Sequence, residues 1–253
     1  MTLSFREKLS SAIVELPKYK VITYIDGFNL YFGIRSQAIK RGSIHTPDPT
    51  WYRYMWLDLQ AMCDRMLTHR QELVAVKYFT APITGSKGKQ ERQNLFLDAL
   101  RTLPKVEIIL GRFEPNRNEC DRCGHPAYHP QEKKTDVNIA TALICDALDN
   151  KYDTAILVTG DSDLVPALKA VKRIKPERRL VAAFPPNRYS TELQDITHSS
   201  ISIWEPILRK SRLPEIIKRD GLPDIVRPFK YSGTLGCTAS PAPAKAATPP
   251  KQP

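Results

Sequence analysis

The chain has 253 residues, 42% hydrophobic and 26% charged, a balance that can build the core of one fair-sized α/β domain with tails or of two small domains. Its five cysteines, two of them spaced Cys120-x-x-Cys123, do not form a secreted disulfide framework, and no apolar run approaches transmembrane length. A formal net charge of +11 favours a polyanionic partner, nucleic acid before a membrane surface, with a merely solvated basic surface as the plainer alternative. Residues 1–20 hold no apolar stretch long enough for a signal peptide, so the expected setting is reducing and cytoplasmic.

The run VITYI (Val21–Ile25) suits a central parallel strand buried on both faces. It ends at Asp26-Gly27 and leads into FNLYFGIRSQAIK, which reads as a helix. YRYMWLDLQAMCDRML places Trp56, Leu59, Cys63 and Met66 at helical spacing. Leu73–Ala81 reads as a second strand, KQERQNLFLDALRTL as a helix closed by Pro104, and VEIILGRFEP as a third strand. NRNECDRCGHPAYHPQEKK breaks this rhythm. TDVNIATALICDAL is then a helix with Thr135 as its N-cap. Next come a strand at Ala155–Thr159, a helix from Leu164, the strand RLVAAF, a short helix from Ser190 and a last strand, ISIW. From about Pro214 the pattern decays, and GCTASPAPAKAATPPKQP has too little apolar surface to order itself, so disorder is expected from about residue 232.

Strands that alternate with helices imply a mainly parallel sheet with helices on both faces. Ligands of such sheets collect at the carboxyl ends of the strands. Asp26, Asp161 and Asp163 all fall just past predicted strand ends, and Asp136 falls in the first turn of a helix, where the dipole favours an anion. Two carboxylates held as close as Asp161 and Asp163 resist ionisation together unless a cation sits between them. Carboxylates so placed hold Mg²⁺ or Mn²⁺ in nucleic-acid enzymes. The alternatives are structural: Asp163 as a helix N-cap and Asp26-Gly27 as a turn.

The stretches YIDGFNLYF, KKTDVNIATALICDAL and YDTAILVTGDSDLVPALKAVK, in this order, resemble the NYN domain family of the PIN-like nuclease superfamily. The resemblance covers about residues 19–205. It implies an α/β three-layer sandwich with a mainly parallel central sheet, and metal-dependent ribonuclease chemistry on RNA, expected to be single-stranded. The acidic pocket of the family falls on Asp26, Asp136, Asp161 and Asp163 as metal ligands, the first three also activating water. Asn29 matches the motif asparagine and supports Asp26, while Thr159 and Ser162 flank the acids. Two other readings stay open. One is an RNA-binding or interaction module of the same fold that does not cleave. The other is a haloacid-dehalogenase-type phosphatase, which needs a second Asp where Phe28 stands.

Residues 1–18 then form an N-terminal extension and 206–253 a C-terminal one, and 116–132 are an insertion rich in Cys and His. Cys120, Cys123, His125 and His129 are candidate ligands of a structural Zn²⁺, although they are crowded compared with familiar zinc modules. Free thiols, or a site completed by another copy in a homo-oligomer, are the alternatives. Cys63 and Cys145 fit helical apolar patterns as small core residues. Lys87, Lys89 and Arg92 follow Gly85 in a predicted loop at the strand ends and are candidate RNA contacts, as are Lys169, Lys172 and Arg173 on the helix after the paired aspartates. Trp51, Tyr52 and Tyr54 either stack bases or, the favoured reading, pack the domain edge.

Overall fold

The computed structural model describes residues 17–39, 48–84, 86–119 and 126–233. Its centre is a six-stranded, wholly parallel sheet built from β1 (Tyr19–Asp26), β2 (Gln71–Thr80), β3 (Val106–Leu110), β6 (Thr154–Val158), β7 (Arg179–Phe184) and β8 (Ser199–Ser202), in the order β3-β2-β1-β6-β7-β8. The chain builds outward from β1 to β3, returns, and builds the other way from β6 to β8. Parallel crossovers are right-handed, so reversing direction puts the two sets of helices on opposite faces.

The first face carries α1 (Gly27–Ile39), α2 (Leu59–Asp64) and α3 (Lys87–Leu100), which pack Leu30, Ile34, Met62 and Leu100 against Val21, Ile25, Val76 and Val158. The second face carries α4 (Thr135–Leu148), α5 (Val165–Ile174) and α6 (Thr191–Ile196), which pack Ile139, Leu143, Leu168 and Leu193 against Ile22, Tyr24, Leu157 and Ala182. Neighbours along each strand thus serve opposite cores, the period-two rule of a pleated sheet. This is the three-layer α/β sandwich expected from the alternation of strands and helices.

Several local details differ from the sequence reading. The single helix expected over 52–67 is a 3₁₀ turn at Pro49–Met55 and the short α2, because Asp58 stops the chain and caps α2 by accepting from Ala61 N at 2.7 Å. The third strand divides at Gly111, whose N–H bonds Thr80 O at 2.7 Å. Past it, β4 (Arg112–Glu119) leaves the sheet and pairs antiparallel with β5 (Pro126–Lys133). The Cys/His segment is therefore flanked by a hairpin. Cys120, Cys123 and His125 lie outside the described residues, as does Gly85, and His129 falls on β5.

Thr135 is the first helical residue of α4 rather than its cap; Lys134 precedes it in the left-handed region, with φ 80°. Cys145 is exposed, not a core residue, because it lies off the stripe of Leu143, Asp146 and Ala147 that α4 buries. Cys63 is buried, and burial pushes its thiol up to about 12. The last strand is Ser199–Ser202, so Trp204 lies past its end, and it is followed by α7 (Glu205–Lys210) and a small antiparallel pair, β9 (Ile216–Ile217) with β10 (Ile225–Val226). Leu213, Ile225 and Tyr231 are buried in the first core, so the segment after Pro214 is anchored on the domain through residue 231. Residues 1–16, 40–47 and 234–253 lie outside the described residues, and with them most of the expected N-terminal extension and tail.

Candidate active site

The sheet order reverses between β1 and β6, so the loops leaving these two strands diverge to opposite faces and open a crevice at their carboxyl ends. Ile25 pairs with Val158 in register, which makes Asp26 and Thr159 the next residues on the two strands. Thr159 Oγ1 donates to Asp26 Oδ2 at 3.1 Å, and the first turn of α1 brings Asn29 N to Asp26 Oδ1 at 2.9 Å. Asn29 Oδ1 in turn accepts from Gly160 N at 3.0 Å, tying α1 to the loop after β6. Thr159 Oγ1 accepts from Asp161 N at 3.1 Å, and Asp161 Oδ1 accepts from Asp163 N at 3.0 Å.

This last bond makes Asp161 the N-cap of the 3₁₀ turn Ser162–Leu164. Asp163, the capping candidate of the sequence reading, stands inside that turn, and Leu164 occupies the cap position of α5. Ser162 is part of the same turn. Gly160 is needed for close approach: a Cβ there would stand 3.0 Å from Arg188 Cβ, in the loop after β7.

Asp136 arrives from α4, whose N-terminus lies at the same rim because the helix runs back to feed β6. The acids act on one another. Asp26 is 5% exposed, and this burial pushes its carboxyl up. The Asn29 and Thr159 bonds recover part of that shift, the negative charges of Asp136 and Asp161 add to it, and the group settles at about 6. Asp136 is likewise raised, first by burial and then by Asp161 and Asp163. None of the four acids makes an ion pair with a described Lys, Arg or His.

The donor set is one of hard carboxylate oxygens, and the uncompensated charge suits a divalent cation. Among the described residues, no three His, Cys, Asp or Glu side chains are gathered into a metal cage. The described acids therefore do not form a preassembled cage of direct ligands.

The candidate basic residues divide. Lys87, Lys89 and Arg92 lie on α3, which starts at Lys87, and not in a loop. Lys169, Lys172 and Arg173 lie on α5, which runs away from the acidic turn, so Lys172 and Arg173 stand about 10 Å or more along the helix from its start. Tyr54 is fully buried, edge to face with Trp51 at 5.2 Å, and bonds Glu205, so this cluster packs the domain edge. The sequence reading missed Tyr24, Lys77 and Asp146. Tyr24 and Lys151 donate to Asp146 at 2.8 and 3.0 Å, and Lys77 donates to it at 2.6 Å. Polar groups inside apolar strands, as at Tyr24 and Lys77, were the available signal, since each needs a buried partner.

Among the described residues, no helix is long and apolar enough to cross a membrane. A crystal structure of a protein of unknown function from Vibrio parahaemolyticus is 22% identical, with a TM-score of 0.46, covering 78% of this chain and 97% of that one. A curated relative, 6-hydroxy-3-succinoylpyridine 3-monooxygenase HspA of Pseudomonas putida, is 29% identical in an alignment of 185 positions, and the match covers 59% of this chain and 54% of that protein. The chain thus spans about half the length of the curated relative it matches. The NYN domain model matches residues 20–204, most of the chain and every strand of the central sheet. With that match over the same acids that converge at the switch point, this chain belongs to the NYN domain family, whose setting is the PIN-like nuclease superfamily.

Proposed function

We infer that this protein is a metal-dependent ribonuclease that cleaves phosphodiester bonds of single-stranded RNA. The observation that carries the reading is the set of four acids, uncompensated by any described cation, around buried Asp26 at the switch point of the sheet. Asp26 and Asp161, with Asp136 across from them, are the residues that would hold Mg²⁺ or Mn²⁺; Asp163, inside the turn that Asp161 caps, would act as an outer ligand. Such an ion supplies charge neutralisation at phosphorus and activation of water. Asn29 and Thr159 fix the Asp26 carboxylate and the Gly160 loop before substrate arrives, so no reorganisation is needed during the reaction. Asp136 stands at the rim with its carboxyl raised above the ordinary value, which suits it to accept a proton from the attacking water.

The test is cleavage of RNA and DNA oligonucleotides by the purified chain in Mg²⁺, in Mn²⁺ and in EDTA, beside Asp161→Asn. RNA cleavage that needs metal and disappears in the variant, with an unchanged circular dichroism spectrum, supports the assignment. Undiminished cleavage by the variant overturns it, and tight RNA binding without cleavage by the parent selects the non-catalytic module.

The name of the Pseudomonas putida relative offers a second reading, hydroxylation of a pyridine derivative. The observation in its favour is an apolar slot that reaches Gly27, next to Asp26, and is lined by Tyr31, Tyr78 and Phe96 with Lys89 and Arg92. Turnover of 6-hydroxy-3-succinoylpyridine with dioxygen and a two-electron reductant would select it.

A further inference from the structure

On the β2 side of Asp26, away from β6, a narrow slot of about 90 Å³ opens between α1 and α3. Its walls are apolar, with the rings of Tyr31 from α1, Tyr78 from β2, Phe96 from α3 and Tyr231 from the C-terminal turn set among aliphatic side chains such as Leu30 and Ile34. Tyr78 and Phe96 stand edge to face, with ring centroids 6.1 Å apart. Gly27, next to Asp26, also lines the slot and lets the Tyr78 ring in, since a Cβ at Gly27 would lie 2.7 Å from that ring. The slot therefore begins one residue from the acidic centre.

The mouth of the slot is cationic. Lys89 and Arg92 line it, and Arg92 bonds Tyr231. Lys230 stands over the Tyr52 ring, 5.4 Å from its centroid. Burial, then the positive charges of Arg92, Arg35 and Lys89, hold the Lys230 ammonium below its usual range, while Lys89 and Arg92 are the cations that line the slot itself. None of the four pairs with a described Asp or Glu, whereas Arg53, Lys77 and Arg178 are all paired. Like charges gathered without a counter-charge repel, and an anion relieves them. The adjoining apolar slot makes a small inorganic anion an incomplete ligand. A flat aromatic ring carrying a negative group satisfies both halves.

We propose that this slot binds one nucleobase of the RNA strand by stacking, while Arg92 and Lys89, with Lys230 beyond them, hold the phosphate of the same nucleotide. The proposal rests on the nuclease reading of the acidic rim and deepens it. The strand would run from the slot over the start of α1 to Asp26, and the slot would choose which base lies beside the cleaved bond.

The test is equilibrium binding of the four nucleoside 5′-monophosphates to the full chain in EDTA, read by tyrosine and tryptophan fluorescence. Ribose 5-phosphate, inorganic phosphate and pyridine-3-carboxylate serve as comparison probes. At least one nucleotide should bind tenfold or more tightly than ribose 5-phosphate. Arg92→Gln with Lys89→Gln should weaken it at least tenfold with an unchanged melting temperature, and Lys230→Gln should weaken it by a smaller factor. Equal affinity for ribose 5-phosphate and every nucleotide would overturn the proposal, as would tighter binding of pyridine-3-carboxylate or indifference to both sets of charge removals. Binding in EDTA does not depend on cleavage. Nucleotide capture without nuclease activity would therefore refute only the acidic-rim reading, and cleavage without nucleotide capture only the slot.

Discussion

Helix α4 carries two aspartates ten residues apart, and they live in opposite electrostatic worlds. Asp146 is 2% exposed, and burial alone would raise it, yet bonds from Lys77, Tyr24 and Lys151 hold it below the usual carboxylate range. Asp136, at the other end of the helix, is pushed up by burial and then by the negative charges of Asp161 and Asp163. Asp26 beyond it is more deeply buried and is raised to about 6. A fold that supplies two lysines to one buried acid and none to another is not short of cations, since the chain carries an excess of them. The difference marks Asp146 as a joint between α4, β1 and β2, and the rim acids as groups that await a charge from outside.

The sharpest way to break this contrast is to remove one acid of each kind. Asp26→Asn should lower metal-dependent RNA cleavage by on the order of 10³-fold, as read by single-turnover rates, while Asp146→Asn should leave the rate per folded molecule unchanged. The same Asp146→Asn change should destabilise the fold by about 3–5 kcal/mol in urea unfolding, because Lys77 loses its close buried partner and keeps only the exposed Glu107 at 3.9 Å. Its folded value lies below the unfolded one. The stabilisation is therefore present at neutral pH and disappears as pH falls through the folded value.

Adding Mg²⁺ at about 100 times its dissociation constant should stabilise the parent by about 2.7 kcal/mol and leave an Asp26→Asn, Asp161→Asn double variant unmoved in thermal melting. The smallest effect should be on stability in EDTA. Asp26 has a folded value near 6 against an ordinary value of 3.8, so its ionisation opposes folding, and stability should fall as pH rises between those limits. Asp26→Asn removes that penalty but also one acceptor of the Asn29 and Thr159 bonds. A net gain of about 1 kcal/mol above pH 6 is expected, and none below pH 4. A loss of stability at pH 7 in EDTA would show that Asp26 is a structural group like Asp146.

Much of the fold was legible because β1 and β6 are short runs of apolar residues that only a sheet covered on both faces can bury. The acids were legible for a related reason: polar residues directly after such strands stand at one edge of a parallel sheet. Asp163 was the capping alternative in the sequence and Asp161 is the cap in the structure, because both residues offer a carboxylate near the turn and only the turn geometry chooses between them. Tyr31, Phe96 and Tyr231 share a slot although 200 residues separate the first and last of them, and no local period links them. Arg35 and Lys230 are separated in the same way.

By itself, the sequence determined the alternation of strands and helices, the parallel sheet and the rim to which the aspartates belong, because burial and chain direction are local properties of an apolar run. Only the tertiary structure decided which charges meet. Lys77 and Lys151 reach Asp146, no described cation reaches Asp26, and Lys89 and Arg92 line the slot beside it. Electrostatic compensation depends on distances of a few ångströms between segments remote in the chain, and folding alone sets those distances.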